Sequence, residues 1–99
     1  MLLEQERRAF ARLAIDCTVV FKEPQNHTAS YGSGKNLSGN GILFETNDTI
    51  SVGTHIEIDV VPTLEQFKPL NAMAEVVRVD SDNQHAPYLV AATLTRILS

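Results

Sequence analysis

From Leu13 the chain alternates with a period of two. Leu13, Ile15, Cys17, Val19 and Phe21 fall on one side, and Ala14, Asp16, Thr18, Val20 and Lys22 on the other. The pattern returns at Thr54–Val60, where Ile56, Ile58 and Val60 oppose His55, Glu57 and Asp59. A helix brings every third or fourth residue to one face, so a two-residue period buries its apolar side only as a strand. Four further runs are short and rich in β-branched or aromatic residues: His27–Tyr31, Gly41–Thr46, Ala72–Val79 and Tyr88–Leu94, the last with Pro87 at its start. Pro24, Asn47-Asp48, Gly53 and Pro62 punctuate them, and Gly32-Ser33-Gly34-Lys35 reads as a glycine-rich hairpin turn. Thr63–Leu70 reads as a connection with one helical turn.

Six such runs predict an all-β chain, a six-stranded antiparallel β-barrel. Closure is favoured because few runs carry the charges that protect an open edge. The first dozen residues have a different character. Leu3, Glu6, Phe10 and Leu13 recur at near-helical spacing, but the apolar stripe is thin and an isolated helix of that length is marginal in water. Residues 1–12 are therefore expected to form a flexible or partly helical arm, and residues 13–99 the barrel.

Ninety-nine residues support one hydrophobic core rather than two. No stretch approaches the ~20 apolar residues that span a bilayer, so no membrane partner is expected. The start of the chain lacks the basic and apolar regions of a secretory signal, and the single cysteine, Cys17, has no internal partner for a disulfide. Both features read as a reducing, cytoplasmic setting.

The net charge of −4 argues against a nucleic-acid polymer as partner, because such binding runs on a cationic surplus. The charge is unevenly spread. Residues 1–35 hold five basic and four acidic side chains (+1), and residues 36–99 hold three basic and eight acidic ones (−5). Cations gathered ahead of an acidic body suit the capture of a small anion. No Ser/His/Asp or Cys/His grouping suggests a nucleophile, and an enzyme is not expected. His55, Glu57 and Asp59 share a strand face but read as a solvated surface, with no metal expected.

Two patterns carry chemistry. Arg7-Arg8-Ala9-Phe10-Ala11-Arg12 contains Arg-x-x-x-Arg at Arg8 and Arg12. Guanidinium groups four residues apart fall on one side of either a helix or a strand, and each offers a planar fork matched to phosphate oxygens or to the O6/N7 edge of guanine. The second is Asn36-Leu37-Ser38-Gly39-Asn40-Gly41, read as Asn-x-Ser-x-x-Gly directly before a strand. Its short polar groups can hydrogen-bond a base or phosphate, while Gly39 and Gly41 let a ligand approach the backbone. Each pattern alone also fits a solvated face or a turn.

In this order and spacing the two patterns resemble the PilZ family, whose signature is Arg-x-x-x-Arg followed by Asp/Asn-x-Ser-x-x-Gly leading into a barrel strand. Arg8, Arg12, Asn36, Ser38 and Gly41 match every position. The resemblance implies a receptor for cyclic di-GMP that needs no further cofactor. By that likeness Arg8 and Arg12 would grip phosphate and guanine, Asn36 and Ser38 would contact a guanine and its neighbouring phosphate, and Gly41 would keep the surface open. Arg7 would help to hold a second, intercalated nucleotide. The arm would order over the barrel on binding and signal to an effector protein, in motility, polysaccharide synthesis or another signalling system. The alternative is an adaptor of the same fold that binds no nucleotide and works by protein contacts alone. Two departures, Ala91-Ala92 where many relatives carry a glycine and no C-terminal helix after Leu94, lie outside the motifs.

Overall fold

In a computed structural model, which describes residues 17–63 and 68–99, every element is a strand. The strands are β1 (Cys17–Lys22), β2 (Ser30–Leu37), β3 (Gly41–Thr46), β4 (His55–Pro62), β5 (Leu70–Asp82) and β6 (His85–Ile97). All neighbours are antiparallel, and the sheet closes in the order β1-β2-β3-β6-β5-β4. The expected barrel is therefore the observed one. The arm of residues 1–12, its boundary at residue 13 and most of the expected helical turn lie outside the described residues. Among the described residues no helix is long and apolar enough to cross a membrane.

The period-two pattern does what it predicts. Cys17, Val19 and Phe21 of β1, and Ile56, Ile58 and Val60 of β4, point into the barrel and are buried. Phe21 meets Phe44 of β3 with ring centroids 5.1 Å apart and a tilt of 51°, a favourable aromatic geometry at the centre of the core. Buried Thr46 is satisfied: its hydroxyl donates to the Tyr31 carbonyl at 2.8 Å and accepts from the Asp48 N–H at 3.2 Å. The carboxylates on the outside of β4 are engaged by Asn71, whose amide donates to Asp59 Oδ1 at 2.7 Å and Glu57 Oε2 at 3.2 Å.

Two expectations need correction. The second strand is not His27–Tyr31: residues 27–29 lie outside any strand, and Gly32-Ser33-Gly34-Lys35, expected as a turn, is the middle of β2. Its glycines serve close packing. A side chain on Gly34 would collide with the Cys17 Sγ across the β1–β2 pair, and one on Gly32 would come within 2.5 Å of the Glu45 carbonyl oxygen. Second, β5 and β6 run well beyond Ala72–Val79 and Tyr88–Leu94. They form one long hairpin, turned by Asn83 and Gln84, with φ of 57° and 63° between paired Asp82 and His85. Two consecutive positive φ values match the twist of the flanking strands, although neither residue is the glycine that adopts them without cost. Pro87 sits inside β6, where the register shifts between Ser81 and Asp82, a place where a missing N–H is tolerated.

Candidate functional site

β2 departs from simple alternation at one point. Gly34 pairs with Phe44, but the next β3 residue, Leu43, pairs with Asn36, so Lys35 is an extra residue in a bulge. The bulge reverses the phase of the strand. Gly34 faces the core, Asn36 joins Leu43 on the outer face, and Leu37 turns inward to pack against the core. Without the extra residue Asn36 would point into the barrel.

β5 carries a matching irregularity. Val76 pairs with Ala92 and Arg78 with Ala91, which leaves Val77 as the extra residue. Val76 is buried and Val77 is exposed, while Arg78 and Ala91 share the outer face. The two bulges therefore end one continuous outer row. Asn36 pairs with Leu43, Leu43 with Ala91, and Ala91 with Arg78, one residue from each of β2, β3, β6 and β5. Three strand spacings separate its ends, about 14 Å. The next row below contains Gly41 paired with Thr93.

This surface is concave. A cavity of about 290 Å³ is lined by Asn36, Ser38, Asn40 and Gly41 from the β2–β3 hairpin, Val77 and Arg78 from β5, and Ala91 and Thr93 from β6. Ala91 and Gly41 lower the floor because they carry little side chain. Ser38 shapes the hairpin: its N–H donates to the Gly41 carbonyl at 2.9 Å, and its hydroxyl lies 3.0 Å from Asn40 Oδ1 and 3.2 Å from the same carbonyl. The Leu94 N–H donates to the Asn40 carbonyl at 2.9 Å and ties the hairpin to β6. Among the described residues nothing hydrogen-bonds the Asn36 amide, which leaves its two donors and its acceptor open at the cavity wall. Arg78 is held by Asp80, Nε to Oδ2 at 2.9 Å; more than half of both side chains is exposed, so the pair is easily exchanged.

Of the site residues expected from sequence, the structure brings Asn36, Ser38 and Gly41 to one cavity. Gly39 sits at the open tip of the hairpin, with nothing within 4 Å of where a Cβ would be, and does not line it. Arg7, Arg8 and Arg12 lie outside the described residues. Sequence reasoning missed Val77, Arg78, Ala91 and Thr93. A signal was present: inward Ala72, Ala74 and Val76 are followed by apolar Val77, a break in phase that marks a bulge.

Comparison with known proteins agrees with this architecture. A family model described as the PilZ domain matches residues 6–95. Among solved structures, the chain is similar to the inhibitor of motility MotI/DgrA of Bacillus subtilis, with a TM-score of 0.72 at 18% identity over 94% of this chain and 44% of that one. It is also similar to the PilZ domain of YcgR from Escherichia coli, a structure with c-di-GMP, with a TM-score of 0.59 at 13% identity over 93% of this chain and 78% of that one. Identities this low show a shared fold. The chain spans less than half the length of the Bacillus protein. No curated protein sequence matches it.

Proposed function

The chain belongs to the PilZ domain family, and from that premise we propose that it is a receptor for cyclic di-GMP whose N-terminal arginines and outer barrel face close on the nucleotide together. The observation that carries this reading is the end of the barrel at which the described part of β1 begins. Cys17, its first described residue, pairs with Gly34, two residues before Asn36 on β2. The motif hairpin and the start of β1 therefore occupy the same end of the barrel. Arg12 precedes Cys17 by five residues and Arg8 by nine. Extended chain spans at most ~3.5 Å per residue, a reach of about 17 Å for Arg12 and about 31 Å for Arg8. Asn36 is one strand spacing across from Cys17 and two residues along, within about 9 Å. Both arginines can reach the cavity.

The chemistry follows from the groups available. A cyclic dinucleotide has two phosphates and two guanines. Asn36, with an uncommitted amide, fits the donor and acceptor pattern of a guanine edge, and the Ser38 hydroxyl would turn its one donor from Asn40 and the Gly41 carbonyl to the neighbouring phosphate. Arg8 and Arg12 supply forks for phosphate and for the O6/N7 edge. Arg78, across the row from Asn36, closes the far wall and can stack on a base once released from Asp80. Arg7, adjacent to Arg8 in sequence, would hold a second, intercalated nucleotide. Three clustered cations repel one another until the dianion neutralises them, so binding orders the arm against the barrel and creates a joint surface for an effector protein. The setting is the cytoplasm, and regulation of motility is one candidate output.

Isothermal calorimetry tests the reading. Cyclic di-GMP is expected to bind, and cyclic di-AMP and GTP are not. Each charge-assisted hydrogen bond is worth about 1.5–3 kcal/mol, so Arg8→Ala weakens binding by at least ~10-fold. Unchanged affinity in Arg8→Ala overturns the assignment of the arm. A parent protein without heat or affinity for cyclic di-GMP overturns the receptor reading and leaves a nucleotide-free adaptor.

A further inference from the structure

The barrel closes only along part of β5. Pairing between β4 and β5 ends at His55 with Glu75. Beyond it the loop before β4 makes two backbone bonds, Gly53 N–H to the Val76 carbonyl at 2.7 Å and Val76 N–H to the Thr54 carbonyl at 2.9 Å. From Val77 to Asp82, β5 pairs with β6 on one side and, among the described residues, with nothing on the other. Backbone groups on such an edge are a template for another strand. Val77 and Val52, next to Gly53, are 50% and 62% exposed at the start of this edge and add apolar surface beside it.

We propose that this edge pairs antiparallel with the same edge of a second copy of the chain, centred on Val79. The charge pattern selects both the occupant and the register. Arg78 and Asp80 lie on the outer face to either side of Val79, which turns toward the core. In an antiparallel pair centred on Val79, Arg78 faces Asp80 of the second copy, and Asp80 faces Arg78 of the second copy. Each charge then has an opposite charge along its own strand and another across the junction. Centring on Arg78 or on Asp80 would set like charges directly opposite, which is destabilising. A charged edge repels most foreign strands, whereas this arrangement is complementary to itself. The contact is isologous, so it closes at two chains and does not propagate.

In this register Val77–Ser81 pair with the same five residues of the second copy, and five residues of edge with Val52 beside them bury less than the ~1,000 Å² of a stable interface, so association is weak and depends on concentration. Sedimentation equilibrium of the nucleotide-free protein, from micromolar to millimolar concentration, is expected to show the mass rising from one chain toward two. Arg78→Asp and Asp80→Arg should each remain monomeric. An equimolar mixture of these two variants should associate at least about 10-fold more tightly than either alone, because the opposite charges then face each other only between unlike chains. Circular dichroism confirms that both variants are folded. A parent chain monomeric throughout, or a mixture no tighter than its components, overturns the proposal. Because no nucleotide is present, that failure leaves the receptor reading untouched.

Discussion

Replacing Gly34 by alanine puts a methyl group where the Cys17 Sγ now lies. The backbone does not forbid the change, since Gly34 is not among the glycines of positive φ; the obstacle is one sulfur atom. Overpacking a core typically costs about 1–3 kcal/mol, and the smaller conformational freedom of alanine in the unfolded chain returns roughly 0.4–1 kcal/mol. Gly34→Ala should therefore destabilise the fold by about 1–2 kcal/mol, and 1 kcal/mol lowers the melting temperature of a domain this size by roughly 4–8 °C. Cys17→Ala loses the packing of a buried thiol, again about 1–2 kcal/mol. With the sulfur gone, the nearest atoms to the new methyl are Val19 Cγ2 at 3.6 Å and Cys17 Cβ at 3.7 Å, both ordinary contacts. The double variant should then lie close to Cys17→Ala alone, with a favourable coupling of at least ~1 kcal/mol in a urea-unfolding cycle. Gly32→Ala is the control. Its clash at 2.5 Å is with a main-chain oxygen of Glu45, which no side-chain truncation relieves, so Cys17→Ala should not rescue it. Additive costs for Gly34→Ala and Cys17→Ala, within ~0.5 kcal/mol, would refute the packing argument for β2.

Other consequences are independent of that pair. Gln84→Gly should stabilise the protein by roughly 0.5–1 kcal/mol in chemical denaturation, because Gln84 has a φ of 63° that glycine adopts without a Cβ clash. Phe44→Ala, which empties the fully buried centre of the barrel, should cost about 3–5 kcal/mol in urea unfolding, a large share of the stability of a domain this size. Asn36→Ala should leave the melting temperature within a few degrees of the parent but lower cyclic di-GMP affinity by about 5–10-fold in calorimetry, since its amide makes no hydrogen bond inside the described fold. Gly39→Ala should change neither stability nor affinity, whereas Gly41→Ala brings a methyl within 3.1 Å of the Ala92 carbonyl and should weaken binding. Cyclic di-GMP at a hundred times its dissociation constant should stabilise the fold by about 2.7 kcal/mol, a melting shift of roughly 10–20 °C.

How much of this was legible before any fold was known differs from element to element. The inward faces of β1 and β4 follow from alternation alone, because side-chain direction in a strand reverses with every residue and only one face can be apolar. The Asn-x-Ser-x-x-Gly hairpin was readable for a similar reason: small polar residues and glycine form tight turns from local preferences. The glycines of β2 were misread because a glycine needed for flexibility and one needed for close packing look alike until Cys17 and Glu45 are brought opposite them. The far wall of the cavity, by contrast, belongs to tertiary structure. Arg78 and Ala91 are far in sequence from Asn36 and share its row only because two bulges reverse the phase of β2 and β5 at matching heights. Local sequence thus determined which residues could face inward and which could turn. Register between distant strands, set by the packing of the closed core, decided which outward side chains stand together.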